Sequence, residues 1–155
     1  MQLLKLTPVA FLFALAVPSC KTDLSDGLVQ KFGLPMTKEQ VIPTNGSSAS
    51  GTINASYNKA SHTLNYTVTW TGLTGNITAM HIHGPAYKGY FPIVAVPFQQ
   101  NITGFINGKT GAFTSSVYID EVAAKESELL HGQYYIDIHT SANSTYGEIR
   151  GQIEF

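Results

Sequence analysis

The run Leu64-Asn65-Tyr66-Thr67-Val68-Thr69-Trp70-Thr71 decides the fold class. Every even position is apolar and every odd one polar. A period of two belongs to a strand, whose successive side chains point to opposite faces, and not to a helix. The segment is therefore a half-buried strand with Tyr66, Val68 and Trp70 turned to a core. Just before it, Asn58-Lys59-Ala60-Ser61 has the composition of a turn and would pair it with a strand over residues 52–57. Just after it, Gly72 and Gly75 bracket a reversal into a third run at 77–83.

Further along, residues 93–98 form a short apolar run constrained by Pro92 and Pro97, which places it at a sheet edge. Asn107-Gly108 is a hairpin-type turn signal ahead of a strand over 111–118. One helix is predicted within 120–130, with Asp120 as its cap, Val122, Leu129 and Leu130 on one face and Gly132 as its stop. Two strands at 133–139 and 147–155 complete the chain. The prediction is an all-β Greek-key sandwich or barrel with one short helix.

The bulk composition agrees. Of 155 residues, 43% are hydrophobic and only 12% charged, enough to build a core, so wholesale disorder is excluded. The net charge of −1 comes without a basic run, which excludes a nucleic-acid partner on electrostatic grounds. Trp70 and the Tyr residues are expected in the core and in strand pairs. Tyr87 and Tyr90, in a Gly-flanked segment, are expected on a loop where they can touch a ligand.

The N-terminus has its own logic. Lys5 is followed by an apolar run at 9–17, too short to span a bilayer, and then by Val17-Pro18-Ser19-Cys20. Residues 1–19 read as a signal peptide. An apolar stretch, a small residue and then Cys resembles the lipobox of bacterial lipoproteins, which makes Cys20 the lipidated residue. An ordinary signal peptide with an incidental cysteine is the alternative. Residues 20–36 are then the lipidated cysteine and a tether, and 37–155 the β domain. The expected location follows: exported across the inner membrane and lipid-anchored at the outer membrane or cell surface. As Cys20 is the sole cysteine, no disulfide forms within the chain. Sequons begin at Asn45, Asn54, Asn65, Asn76, Asn101 and Asn143; in a eukaryotic secretory protein these would be glycan sites.

Strand parity also locates the chemistry. In Ala79-Met80-His81-Ile82-His83, Met80 and Ile82 take the apolar face, so both imidazoles share the other one. In Tyr134-Tyr135-Ile136-Asp137-Ile138-His139, Asp137 and His139 share the polar face. In Gly147-Glu148-Ile149-Arg150-Gly151-Gln152-Ile153, parity leaves Glu148, Arg150 and Gln152 outside the core. If the three strands are neighbours, His81, His83, His139, Glu148 and Arg150 converge on one patch, with Asp137 beside them.

Three motifs here resemble the CHRD (chordin-type) family: His81-Ile82-His83-Gly84-Pro85-Ala86, then His139-Thr140-Ser141-Ala142-Asn143, then Gly147-Glu148-Ile149-Arg150-Gly151-Gln152. Glu39-Gln40-Val41-Ile42-Pro43 and Gly51-Thr52 are similar to the looser opening of that family. The resemblance implies an immunoglobulin-like or superoxide-dismutase-like β fold and a surface module that binds an extracellular ligand or serves as structure, without a catalytic reaction. It departs at Asn143-Ser144-Thr145-Tyr146-Gly147, where the family has Asn-Pro followed closely by Gly.

Two chemical readings of the cluster stand side by side. In one, His81, His83 and His139 bind copper or zinc, because three neutral imidazoles suit those ions. The pattern also resembles part of the copper/zinc superoxide dismutase ligand set. It lacks that family's remaining histidines, since none lies between Gly84 and Leu130, and its disulfide. In the other, the residues form a structural polar cluster, with His81 or His83 bonded to Asp137 or Glu148 and Arg150 paired with Glu148.

Overall fold

The computed structural model describes residues 27–90 and 98–155. Eight strands and one helix follow in order: β1 (Leu28–Thr37), β2 (Ser50–Asn58), β3 (Thr63–Thr71), β4 (Ile77–Gly84), β5 (Phe98–Asn101), β6 (Gly111–Tyr118), α1 (Glu126–Leu130), β7 (Tyr134–Thr140) and β8 (Ile149–Ile153). The strands form one antiparallel sheet in the order β5-β4-β7-β8-β1-β2-β3-β6, curled into a half-barrel around its apolar face. The all-β prediction with one short helix holds.

The deciding segment is β3, and its parity is as read: Leu64, Tyr66, Val68 and Trp70 are buried, while the intervening polar residues are half-buried or exposed. Its register with β2 sets Tyr57 against Leu64, Ala55 against Tyr66 and Ile53 against Val68. Each such large apolar side chain contributes about 1.5–3 kcal/mol on leaving water. Trp70 faces Gly111 of β6, where a Cβ would come 2.6 Å from the indole. The absent side chain is what lets the ring lie there. The indole N–H donates to the Gly108 carbonyl at 2.8 Å.

On the other side of the barrel, β4, β7 and β8 are neighbours, as the convergence argument required. Here one prediction fails. Glu148, Arg150 and Gln152, expected outside the core, are 0%, 4% and 2% exposed. All of β7 and β8 is buried on both faces, because loops cover the polar side. Parity tells which face a residue takes, not whether that face is wet.

β8 is the link between the sheet's halves, and its ladder with β1 is thin, with Thr37 opposite Arg150 as the paired residues. Gln40 reinforces it: its amide donates to Pro35 O at 2.7 Å while its carbonyl oxygen accepts the Gln152 N–H at 3.0 Å.

Three further expectations are corrected. The folded sheet begins at Leu28, so the second half of the stretch assigned to a tether, whose boundary stood at 37, is strand β1. The helix is only Glu126–Leu130; Asp120 instead accepts the N–H groups of Val122, Ala123 and Ala124, each at 2.9 Å, in a turn, and Val122 is exposed. Gly132 does stop the helix, at φ +67°. Asn107 does not head a hairpin, since β6 pairs with β3; its side chain bonds the Ile77 N–H and carbonyl. Of the apolar run at 93–98 only Phe98 is described, opening β5 at one edge of the sheet. The stretch read as a signal peptide, and Cys20, lie outside the described residues, among which no helix is long and apolar enough to cross a membrane.

Candidate metal centre

His81 and His83 stand side by side on β4 because strand residues two apart share a face. The register puts Asp137 opposite His81, and His139 follows Asp137 on the same face of β7. Asp137 is thereby the centre of the group. Its Oδ1 lies 3.3 Å from His81 Nδ1 and 3.3 Å from His139 Nε2, and its Oδ2 lies 3.4 Å from His83 Nε2. One donor atom from each of the four residues falls within 4.8 Å of every other. The sequence had Asp137 only in the surrounding polar cluster.

These contacts are long ion pairs without hydrogen-bond geometry at Asp137 Oδ1. His81 Nδ1, Asp137 Oδ1 and His139 Nε2 are buried, and none makes a hydrogen bond. Buried polar atoms left this way cost free energy and call for an explanation. The spacing supplies one. Donors about 2.05 Å from a common centre at tetrahedral angles are about 3.3 Å apart. The two distances to Asp137 Oδ1 match that edge, while His83 Nε2 lies nearest the other carboxylate oxygen.

Two of the three imidazoles are held from outside the group. His139 Nδ1 lies 2.9 Å from the Ser144 carbonyl; donating there leaves Nε2 as the lone-pair nitrogen facing Asp137. His83 stacks on Tyr135, with ring centroids 5.2 Å apart and planes at 27°. Gly147, beside His139, takes a φ of +87°, a backbone conformation that L side chains rarely adopt, so glycine is what lets the loop pass there.

The electrostatics favour a charged carboxylate. Burial pushes the Asp137 carboxyl up, but the three imidazoles outweigh it and hold it well below the usual carboxylate range. For His139, burial acts downward, and the Asp137 carboxylate together with the Ser144 carbonyl raises it above the ordinary imidazole value.

The four residues open on a cavity of about 450 Å³, which Tyr135 and Arg150 also line. Arg150 thus joins the patch as read from the sequence. Glu148 does not. Its carboxylate accepts Ser47 Oγ, the Thr74 N–H and hydroxyl, and Thr140 Oγ1, at 2.6–2.9 Å, and forms no pair with Arg150. Tyr87 and Tyr90 are exposed as expected, and their carbonyls bond Arg150. A second close group, His62, Glu121 and Glu126, has ordinary hydrogen-bond partners: Tyr57 donates to Glu126, and Glu121 accepts the Glu126 N–H.

A family model, the CHRD domain, matches residues 32–153. Neither the curated proteins nor the solved structures yielded a match.

Proposed function

The chain belongs to the CHRD domain family, and on that premise we propose that it is a surface-held binding module whose His81, His83, Asp137 and His139 take up one copper or zinc ion. The observation that carries the reading is the pair of 3.3 Å spacings from Asp137 Oδ1 to His81 Nδ1 and His139 Nε2, three buried atoms that make no hydrogen bond, with His83 Nε2 3.4 Å from the other carboxylate oxygen. A polar cluster selected for structure alone would satisfy those atoms. Three imidazole nitrogens and a carboxylate oxygen, without a thiolate, suit zinc or copper(II) rather than copper(I), and are too nitrogen-rich for calcium or magnesium. A bound ion would join β4 to β7 and stabilise the fold by mass action. The lipid anchor at Cys20 and the placement at an outer membrane or cell surface rest on the sequence around that cysteine.

The test is metal analysis. The purified protein is stripped with chelator, exposed to zinc or copper(II), and passed through a desalting column. One ion per chain is expected for the natural sequence, and none for a His81→Ala/His83→Ala variant. Equal metal content in both, with one melting temperature under every metal condition, sinks the reading and leaves the cluster structural.

A further inference from the structure

We propose that the cavity beside the cluster is a subsite for a small carboxylate-type anion, held jointly by Arg150, Tyr135 and the bound ion. This rests on the metal reading above, because charge balance is what calls for the anion. Three neutral imidazoles and one carboxylate leave a divalent ion with a net charge of about +1, and Arg150, 4% exposed, adds another. Among the described residues lining the cavity, Asp137 is the one acid. The neighbouring carboxylate, Glu148, is fully engaged by Ser47, Thr74 and Thr140. Buried positive charge without a counterion is unfavourable, so the loaded cavity attracts an anion.

Arg150 stands opposite Asp137 in the β7–β8 ladder, but the hydrogen bonds that position it go elsewhere. Its guanidinium donates to the carbonyls of Tyr90 at 3.1 Å and Tyr87 at 3.3 Å, and to Gln152 Oε1 at 2.9 Å, all uncharged acceptors. Its Nε is buried and makes no hydrogen bond. The guanidinium carbon lies 3.6 Å from the centroid of Tyr135, the ring that also stacks on His83. One aromatic ring thus ties the cation to a metal ligand. Tyr135 also lines the cavity, and its phenolic O–H is a hydrogen-bond donor. A carboxylate offers two acceptor oxygens, one for the ion and one for such donors.

The experiment titrates sodium acetate, at constant ionic strength, into the full-length protein loaded with copper(II), whose electron paramagnetic resonance spectrum reports on the copper ligands. Acetamide, the neutral analogue of similar shape, is the control. A saturable spectral change is expected with acetate and none with acetamide. Arg150→Gln should weaken acetate binding by roughly tenfold or more while copper content stays at one per chain, and Arg150→Lys should restore most of it. Should Arg150→Gln fail to fold, Tyr135→Phe replaces it and should weaken acetate by roughly threefold to tenfold. Copper at one per chain with no saturable acetate effect, or with variants equal to the natural sequence, overturns the subsite alone. Failure to retain copper, measured before acetate is added, overturns the metal reading and the subsite with it.

Discussion

The hydroxyl of Thr140 donates a 2.6 Å hydrogen bond to Oε2 of Glu148, tying the end of β7 to the residue that leads into β8. Ser47 and Thr74 complete the shell of this fully buried carboxylate. Burial raises the Glu148 value, yet these donors prevail and lower it below the ordinary one. A depressed carboxylate adds stability that is present above its unfolded value, about 4.3, and lost as pH falls through the folded one. Glu148→Gln should therefore cost about 2–3 kcal/mol at pH 7. It should also flatten the acid side of the stability–pH curve, followed by urea unfolding between pH 3 and 7.

The metal-free and metal-loaded proteins should respond to pH in opposite directions. Without metal, His139 is stabilised in its protonated form by Asp137, so its contribution is fully present below about pH 6.5, the unfolded value, and lost as pH rises through the raised folded value. Asp137 contributes above about pH 4 and loses its effect below. Loading reverses the trend, since each imidazole must shed its proton to bind. Melting temperatures of chelated protein should fall between pH 6 and 8 while those of zinc-loaded protein rise.

Asp137→Asn keeps the shape of the side chain and removes its charge. Zinc affinity should drop by about a hundredfold or more, measured by competition with a chromophoric chelator. Affinity within about threefold of the natural sequence would remove Asp137 from the ligand set.

Trp70→Ala should destabilise by about 3–5 kcal/mol, because the indole is 2% exposed and loses its bond to Gly108 as well as its packing on Gly111. A loss under about 1 kcal/mol in two-state unfolding would contradict the burial of that strand face.

Cys20→Ser should move the protein from the membrane fraction to the soluble fraction, read by immunoblot after cell fractionation. A variant that stays with the membrane removes the lipid anchor at this position.

The strands that were legible alternate apolar and polar residues. In β3 the alternate residues meet the core and the solvent, in β4 and β7 they meet the apolar core and a largely covered polar cluster, and that period placed all three histidines and Asp137 on one side. β1 hid for a local reason. Its register with β2 shifts between Lys31 and Leu34, Gly33 takes a φ of +68°, and four consecutive residues before Leu34 are exposed. The helix prediction lengthened because Asp120 offers the same capping chemistry to a turn as to a helix. Glu148 was misplaced because alternation assigns a face but not a neighbour, and Ser47, from the loop before β2, gives no sign in the sequence of reaching across to it. Asp137 was seen on the right face, but its central place depends on the β4–β7 register, which sequence alone does not fix.

The place of β8 between β7 and β1 sets an order of events for the nascent chain. The meander of β1, β2 and β3 contains pairings local in sequence and can close early. Contacts distant in sequence are slow to form, and β8 follows every other strand in the chain. Until it emerges, no ladder among the described strands joins the layer carrying the histidines to the first three strands. Completion of the fold therefore waits on its final strand, and a ribosome stalled before Ile149 should hold two unjoined pieces. Their open edges would be exposed to wrong partners for as long as the stall lasts.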